Sequence, residues 1–203
     1  MAEVIIVQEG GLRRDIRVEA GQRTDMVLVV MPGVSCDVAL DVTLAGEGAE
    51  ANIYGAYICG GEEKVKIGVD MHHDVPHCNS RQLFKGIAGG NSRVDFYGKI
   101  IVAQDAQRTE AYQENHNILL SDDARVDTKP QLEIYADDVK CSHGATIGRL
   151  NEEEQFYMRS RGITLEDAKV LQMISFLAPV LEAIPEAERE SMAAQIETAI
   201  RNI

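Results

Sequence analysis

The chain has 203 residues and a formal charge of −13, from 20 basic and 33 acidic side chains. That balance repels polyanions over most of the surface, so nucleic acid is excluded as an expected partner, and proteins or cations are favoured. A hydrophobic fraction of 45% supports the core of one ordinary domain, with or without an appendage, and no segment reaches the ~18 uninterrupted apolar residues of a membrane span. The start, Met1-Ala2-Glu3-Val4, lacks a basic region followed by an apolar stretch. No signal peptide is therefore expected, and a cytoplasmic location is the default. Cys36, Cys59, Cys78 and Cys141 are scattered without a CxxC pair, which argues against a disulfide framework. Cys36 and Cys59 read as small buried hydrophobes.

From Val4 to about Ile147 the pattern is one of short strands broken by Gly, Asn and Asp. Expected strands include Val4 to Val7, Met26 to Val30, Val38 to Leu44, Ala51 to Tyr57, Lys64 to Met71, Val94 to Val102 and Gln131 to Tyr135. The alternation Val38-Ala39-Leu40-Asp41-Val42-Thr43-Leu44 is typical of them. No helical period precedes Asn151, so alternating β and α units are excluded. A weak repeat relates Gly48 to Gly55, Asn91 to Gly98 and Asp123 to Pro130, each a turn followed by a strand. Such recurrence suits a β-solenoid with stacked rungs, with a β-sandwich as the alternative.

Helical character begins after Ile147. Asn151 is placed to cap a helix with Glu154 at N3, and Gly162 to end it. Thr164 caps a second helix with an apolar stripe of Leu165, Ala168, Leu171, Phe176, Leu177 and Val180, which Pro179 would kink or end. Pro185 suits the first turn of a third helix, on which Met192, Ile196 and Ile200 share a face. Such short helices must dock on the strand-rich body, capping the open end of its sheet, or on another protein.

Two clusters have metal-capable side chains. In Met71-His72-His73-Asp74-Val75-Pro76-His77-Cys78, Pro76 opposes the helix that would align His73 with His77. These residues converge in a turn or are simply exposed, and the spacing is not that of a zinc site. In Val139-Lys140-Cys141-Ser142-His143-Gly144, Cys141 and His143 share a face if the segment is extended. A thiolate and an imidazole suit iron, zinc or an iron–sulfur cluster, yet two ligands do not close a tetrahedral site. Asp137 and Asp138 lie near enough in sequence to act as hard ligands or acceptors, or as solvated turn residues. The alternative for the pair is a packed Cys141 and a hydrogen-bonded His143. No GxSxG is present, and Gly86 to Gly90 lacks a GK[ST] and leads into a strand, so nucleophilic catalysis and phosphate binding are not expected.

The segments Arg81 to Ile87, Phe96 to Val102, Ala106 to Gln113, Asn117 to Ser121, Thr128 to Thr146 and Phe156 to Ile163 follow one another as in the SufB/SufD family. The resemblance is densest over residues 128 to 146. Members of that family are scaffold subunits of the SUF iron–sulfur cluster assembly machinery. The resemblance implies a mainly β protein: a right-handed parallel β-helix over residues 1–147, then a small C-terminal α-helical domain over residues 148–203. It further implies that this helical domain docks a SufC-like ABC ATPase, and that the β-helix pairs into a homodimer or a SufB/SufD-like heterodimer. An iron–sulfur cluster would be held transiently at the seam by Cys141 and His143, with no permanent cofactor and no enzymatic activity of the chain's own. His73, His77 and Cys78 are weaker metal candidates, because Cys78 replaces the family's usual small hydroxyl residue. The glycine after His143 is SufD-like, and the chain is shorter than usual, starting near the β-helix. An ATPase-binding subunit that never holds a cluster is the alternative function, and a zinc hydrolase using His72, His73 and His77 a more distant one.

Overall fold

A computed structural model describes residues 2–203. Eleven strands precede three helices: β1 (Glu3–Val7), β2 (Leu12–Val18), β3 (Arg23–Val30), β4 (Cys36–Leu44), β5 (Glu50–Cys59), β6 (Lys64–His73), β7 (Asn79–Ala88), β8 (Arg93–Val102), β9 (Thr109–Leu119), β10 (Arg125–Ile134), β11 (Val139–Gly148), α1 (Glu152–Ser160), α2 (Leu165–Leu181) and α3 (Glu186–Arg201). The odd strands form one parallel sheet in the order β1-β3-β5-β7-β9-β11, and the even strands a second in the order β10-β8-β6-β4-β2. The chain coils through about 5 turns of a β-solenoid. Side chains that meet on adjacent rungs lie 29 to 31 residues apart, as in the pairs Lys66–Asp37, Lys140–Glu110 and Gln113–Gln82.

The repeat visible in the sequence is half in phase with these rungs. Val94 to Gly98 on β8 stacks residue by residue on Val126 to Pro130 of β10. The third copy, Ala51 to Gly55, belongs to β5 in the opposite sheet. The turn-then-strand signature therefore marks every half-rung, which is why its spacing is irregular. The sheets are wholly parallel, so the sandwich alternative falls.

Parallel register carries each inward side chain onto an inward side chain of the next rung, so the lumen is a set of columns. Val38, Ile67 and Phe96 form one of them and are all buried. Phe84 and Phe96 meet across the lumen at 4.9 Å between ring centroids. Backbone closeness is needed at Gly86, where a Cβ would collide with the Tyr57 ring and the Asn117 amide. At one corner, burial would raise the pKa of Glu63, but the N–H groups of Gly33, Gly61 and Gly60 donate to its carboxylate and hold it below the usual range.

The helices do not cap the open end of the sheet. Val170, Met173, Leu177 and Val180 of α2, with Met192, Ile196 and Ile200 of α3, cover the outer face of the odd-strand sheet. There they pack on Val27, Val29, Ala56, Ile58, Leu83 and Ile87. Asn151 Oδ1 accepts from the Glu153 and Glu154 amides, Thr164 Oγ1 accepts from the Asp167 amide, and Gly162 ends α1 with φ +90°. Pro179 neither ends α2 nor marks its last residue, because the helix runs on to Leu181. Leu165 and Leu171, expected on the buried stripe, are 41% and 48% exposed. No helix among the described residues is long and apolar enough to cross a membrane.

Within the lumen, His73 is fully buried, and its Nε2 lies 2.8 Å from Ser80 Oγ. Burial, with help from neighbouring His72, pulls its pKa from 6.5 down to about 4. Between those values the unfolded chain binds a proton that the folded chain does not, so stability falls as pH drops from 6.5 towards 4. Urea unfolding across that window is expected to show wild type losing on the order of 3 kcal/mol more than His73→Gln. A second expectation concerns the lumen wall. Gly86→Ala destabilises by about 1–3 kcal/mol or more through overpacking, whereas Gly144→Ala, whose Cβ meets nothing within 4 Å, leaves the denaturation midpoint nearly unchanged.

Candidate functional site

The fifth rung is the last, and β10 and β11 are the end strands of their sheets at the same end of the solenoid. Their outer backbone edges have no partner strand. The extended conformation that ends with Ile134 breaks over residues 135–138 and resumes at Val139. Cys141 and His143 thus lie in a strand of their own, held in register over β9 from Val139–Thr109 to Gly148–Ile118.

Alternation along β11 places Cys141, His143, Ala145 and Ile147 towards the lumen. The column through His143 runs Ile53, Gln82, Gln113, His143. The first three are fully buried and His143 is exposed, because no sixth rung covers it. The column through Cys141 runs Ala51, Ser80, Ala111, Cys141. Cys141 packs half-buried against the lumen core. Burial pushes its thiol pKa up, offset in part by a hydrogen bond from the Ala111 backbone. Around the pair the last rung shows apolar side chains to solvent, with Ile134 40% and Ile147 46% exposed. Lys140 Nζ–Glu110 Oε1 at 2.6 Å and His116 Nδ1–Thr146 Oγ1 at 2.8 Å tie the outer face of β11 to β9.

The other metal candidates point apart. His73 faces the lumen, and His72 faces out of the even-strand sheet, 3.7 Å from Asp41. His77 stands in a left-handed corner at φ 61°, 3.9 Å from Glu47. Cys78 is fully buried, its Sγ directed at the carbonyls of Gly46 and Pro76. Asp137 and Asp138 are exposed; the Asp138 amide donates to Gln107 Oε1 and its carboxylate lies 3.7 Å from Arg108. Among the described residues no group of three or more His, Cys, Asp or Glu side chains is gathered to hold a metal ion. Cys141 and His143 share a face, a rung and an opening, and they supply one soft and one borderline donor.

Beneath them lies a polar lumen wall that the sequence reading passed over. Gln113 Nε2 donates to Gln82 Oε1 at 2.9 Å, Asn115 Nδ2 to the Tyr57 hydroxyl at 3.0 Å, and Asn117 Nδ2 to Asn115 Oδ1 at 2.7 Å. The Tyr57 hydroxyl in turn donates to Asn117 Oδ1. Its signal in the sequence was Gln113, Asn115 and Asn117 at every second position of a strand, where a buried face should be apolar.

On the helical side, Phe156 and Tyr157 of α1 are 73% and 59% exposed. With Leu165 and Leu171 they form an apolar surface on α1 and α2. Beside it a groove of about 1040 Å³ runs between α1, α2 and the end of β11, lined by Leu150, Tyr157, Met158, Leu171, Ile174 and Phe176 among others.

The sequence resembles those of known proteins. Escherichia coli SufD, an iron–sulfur cluster assembly protein, is 49% identical over 127 residues, covering 62% of this chain and 30% of its own length. The SufBD family protein slr0076 of Synechocystis is 46% identical over 120 residues, 59% of this chain and 26% of its own. Protein ABCI7, chloroplastic, of Arabidopsis thaliana is 35% identical over 179 residues, 88% of this chain and 38% of its own. The chain thus spans well under half the length of these relatives. The family described as SUF system FeS cluster assembly, SufBD core domain, matches residues 12–176, and the chain belongs to that family.

Proposed function

We propose that this chain is a SufD-like scaffold subunit of a cytoplasmic SUF-type assembly complex, without catalysis of its own, on which an iron–sulfur cluster is built as cargo. The observation that carries the reading is the Cys141–His143 pair on the lumen face of a terminal strand with an unpaired edge. A thiol and an imidazole suit iron, and the pair amounts to half of a four-ligand set. The exposed Ile134 and Ile147 around it favour coverage by a second protomer, a copy of this chain or a SufB-like partner. That protomer would supply the missing donors. When bound, the cluster contributes the iron chemistry. The chain's part is to present the donors, to hold β11 in register, and to shelter the thiol from bulk water.

The same reading assigns the apolar surface of Phe156, Tyr157, Leu165 and Leu171 to a SufC-like ABC ATPase. Four large side chains exposed together on a helix pair that already packs its other face on the solenoid fit a protein-docking surface.

Anaerobic reconstitution with iron and sulfide, followed by absorption spectroscopy, tests the site. Cys141→Ala and His143→Ala are each expected to lose most of the cluster absorption while keeping wild-type unfolding behaviour. Undiminished cluster in both variants would overturn the assignment of Cys141 and His143, and no cluster on wild type would leave an ATPase-binding subunit that holds none. The docking surface is tested separately by calorimetric titration with the cognate ATPase. Phe156→Asp and Tyr157→Asp are each expected to weaken binding by about 2 kcal/mol or more, as for a buried aromatic hot spot, and wild-type affinity in both overturns the assignment.

A further inference from the structure

We infer that Gln113 is a positioning residue for His143: its buried side-chain oxygen accepts the imidazole N–H, fixing one tautomer and turning the other ring nitrogen to the open end of the solenoid. The inference rests on the reading of His143 as a ligand, and its test stands apart from cluster binding.

Gln113 occupies the middle of β9 and is fully buried, although only one rung lies above it. Its Nε2 is committed downward, donating to Gln82 Oε1 at 2.9 Å. Its Oε1 is buried and has no partner. A buried acceptor left unpaired is costly, so its neighbourhood ought to contain a donor. The amide is not free to swing elsewhere. Across the lumen stands Gly98, where any Cβ would collide with Gln113 Nε2, so the bare backbone of β8 makes the space the amide fills.

The side chain above Gln113 in the column is His143, in direct register on β11. Neighbouring parallel strands lie about 4.8 Å apart, which brings side chains of one column within hydrogen-bonding range. A neutral imidazole has one N–H donor and one lone-pair nitrogen. Giving the donor to Gln113 leaves the lone pair as the available ligand atom. This is the usual division of labour for a metal-binding histidine, whose second nitrogen is oriented by an oxygen acceptor. The column thus runs as a polarised chain, from Gln82 through Gln113 to His143.

Two competing donors exist. Gln82 Nε2, in the rung below, is buried and without a partner. Thr128 on β10 also faces the lumen in the last rung, and its buried hydroxyl has no partner. If either serves Gln113 instead, the tautomer of His143 is indifferent to residue 113.

The measurement is the ring ¹⁵N chemical shifts of His143 in the metal-free full chain, at a pH where the imidazole is neutral. Wild type is expected to show a single tautomer. Gln113→Glu, which keeps an acceptor, retains it, whereas Gln113→Leu reverts to the mixture of a free imidazole. A mixture in wild type overturns the inference without any variant, as does a single tautomer that survives Gln113→Leu. Cobalt(II) titration, followed by its visible absorption, gives a second readout. Gln113→Leu is expected to bind about 10–100-fold more weakly than wild type, the usual loss on removing a ligand's orienting partner, and unchanged cobalt affinity counts against the positioning role. Failure of the ligand reading itself shows differently, as wild-type cobalt binding by His143→Ala.

Discussion

Everything in this molecule hangs on the parallel register between successive rungs. A wholly parallel ladder stacks like position on like position, so a choice made in one rung is repeated or answered in the next. Val38, Ile67 and Phe96 answer one another with bulk in the lumen. Gly86 answers Tyr57 and Asn117 with an absence of bulk. On the outer face, Val27, Val29, Ala56, Ile58, Leu83 and Ile87 gather into one apolar area because the register aligns them, and α2 and α3 cover it. A slip of one residue would turn every column inside out.

The same register explains why the proposed site sits where the ladder stops. Inside the solenoid, inward polar groups are shut in: His73 is buried enough to resist protonation, and Cys78 has backbone groups as its polar neighbours. The last rung combines lumen-facing donor side chains with access from outside. Cys141 and His143 inherit the geometry of buried columns without being buried to the same degree. The underlying rungs then act as a rigid foundation, on which a strand rich in small residues can present donors in fixed positions.

How much of this was legible in the sequence depends on which distance sets the feature. Local features were legible: the Asn151 and Thr164 caps, the Gly162 stop and the alternation of β4 can be read within a few residues. Features set by register were not. β9 carries Gln113, Asn115 and Asn117 on its buried face, so its alternation is of polar with polar and β-periodicity is masked. The His72–Cys78 cluster looked like one group, but alternation sends His72 out and His73 in, and the corner sends His77 to solvent. Leu165 and Leu171 looked like core because they are apolar, yet α2 meets the sheet through Val170, Met173, Leu177 and Val180. The Cys141–His143 pair was legible in type and spacing. Its stacking on Ala111 and Gln113 needed the fold.

The open end also bears on what kind of partner would complete the site. Two donors on one edge do not close a four-ligand centre. A two-fold interface is self-complementary, so pairing two copies through the last rung would bring a second Cys141 and a second His143 to the seam by symmetry. That gives two thiolates and two imidazoles without any further ligand from either chain. A heterologous partner would have to carry its own donors at the matching column. The first route demands that both copies approach closely along β11, and beyond Lys140 the strand's outward side chains, Ser142, Gly144, Thr146 and Gly148, are small. Gly144 and Gly148 have open space where a Cβ would stand, so nothing within the chain requires glycine there. In a strand, a glycine that its own fold does not need leaves room for another backbone to come close.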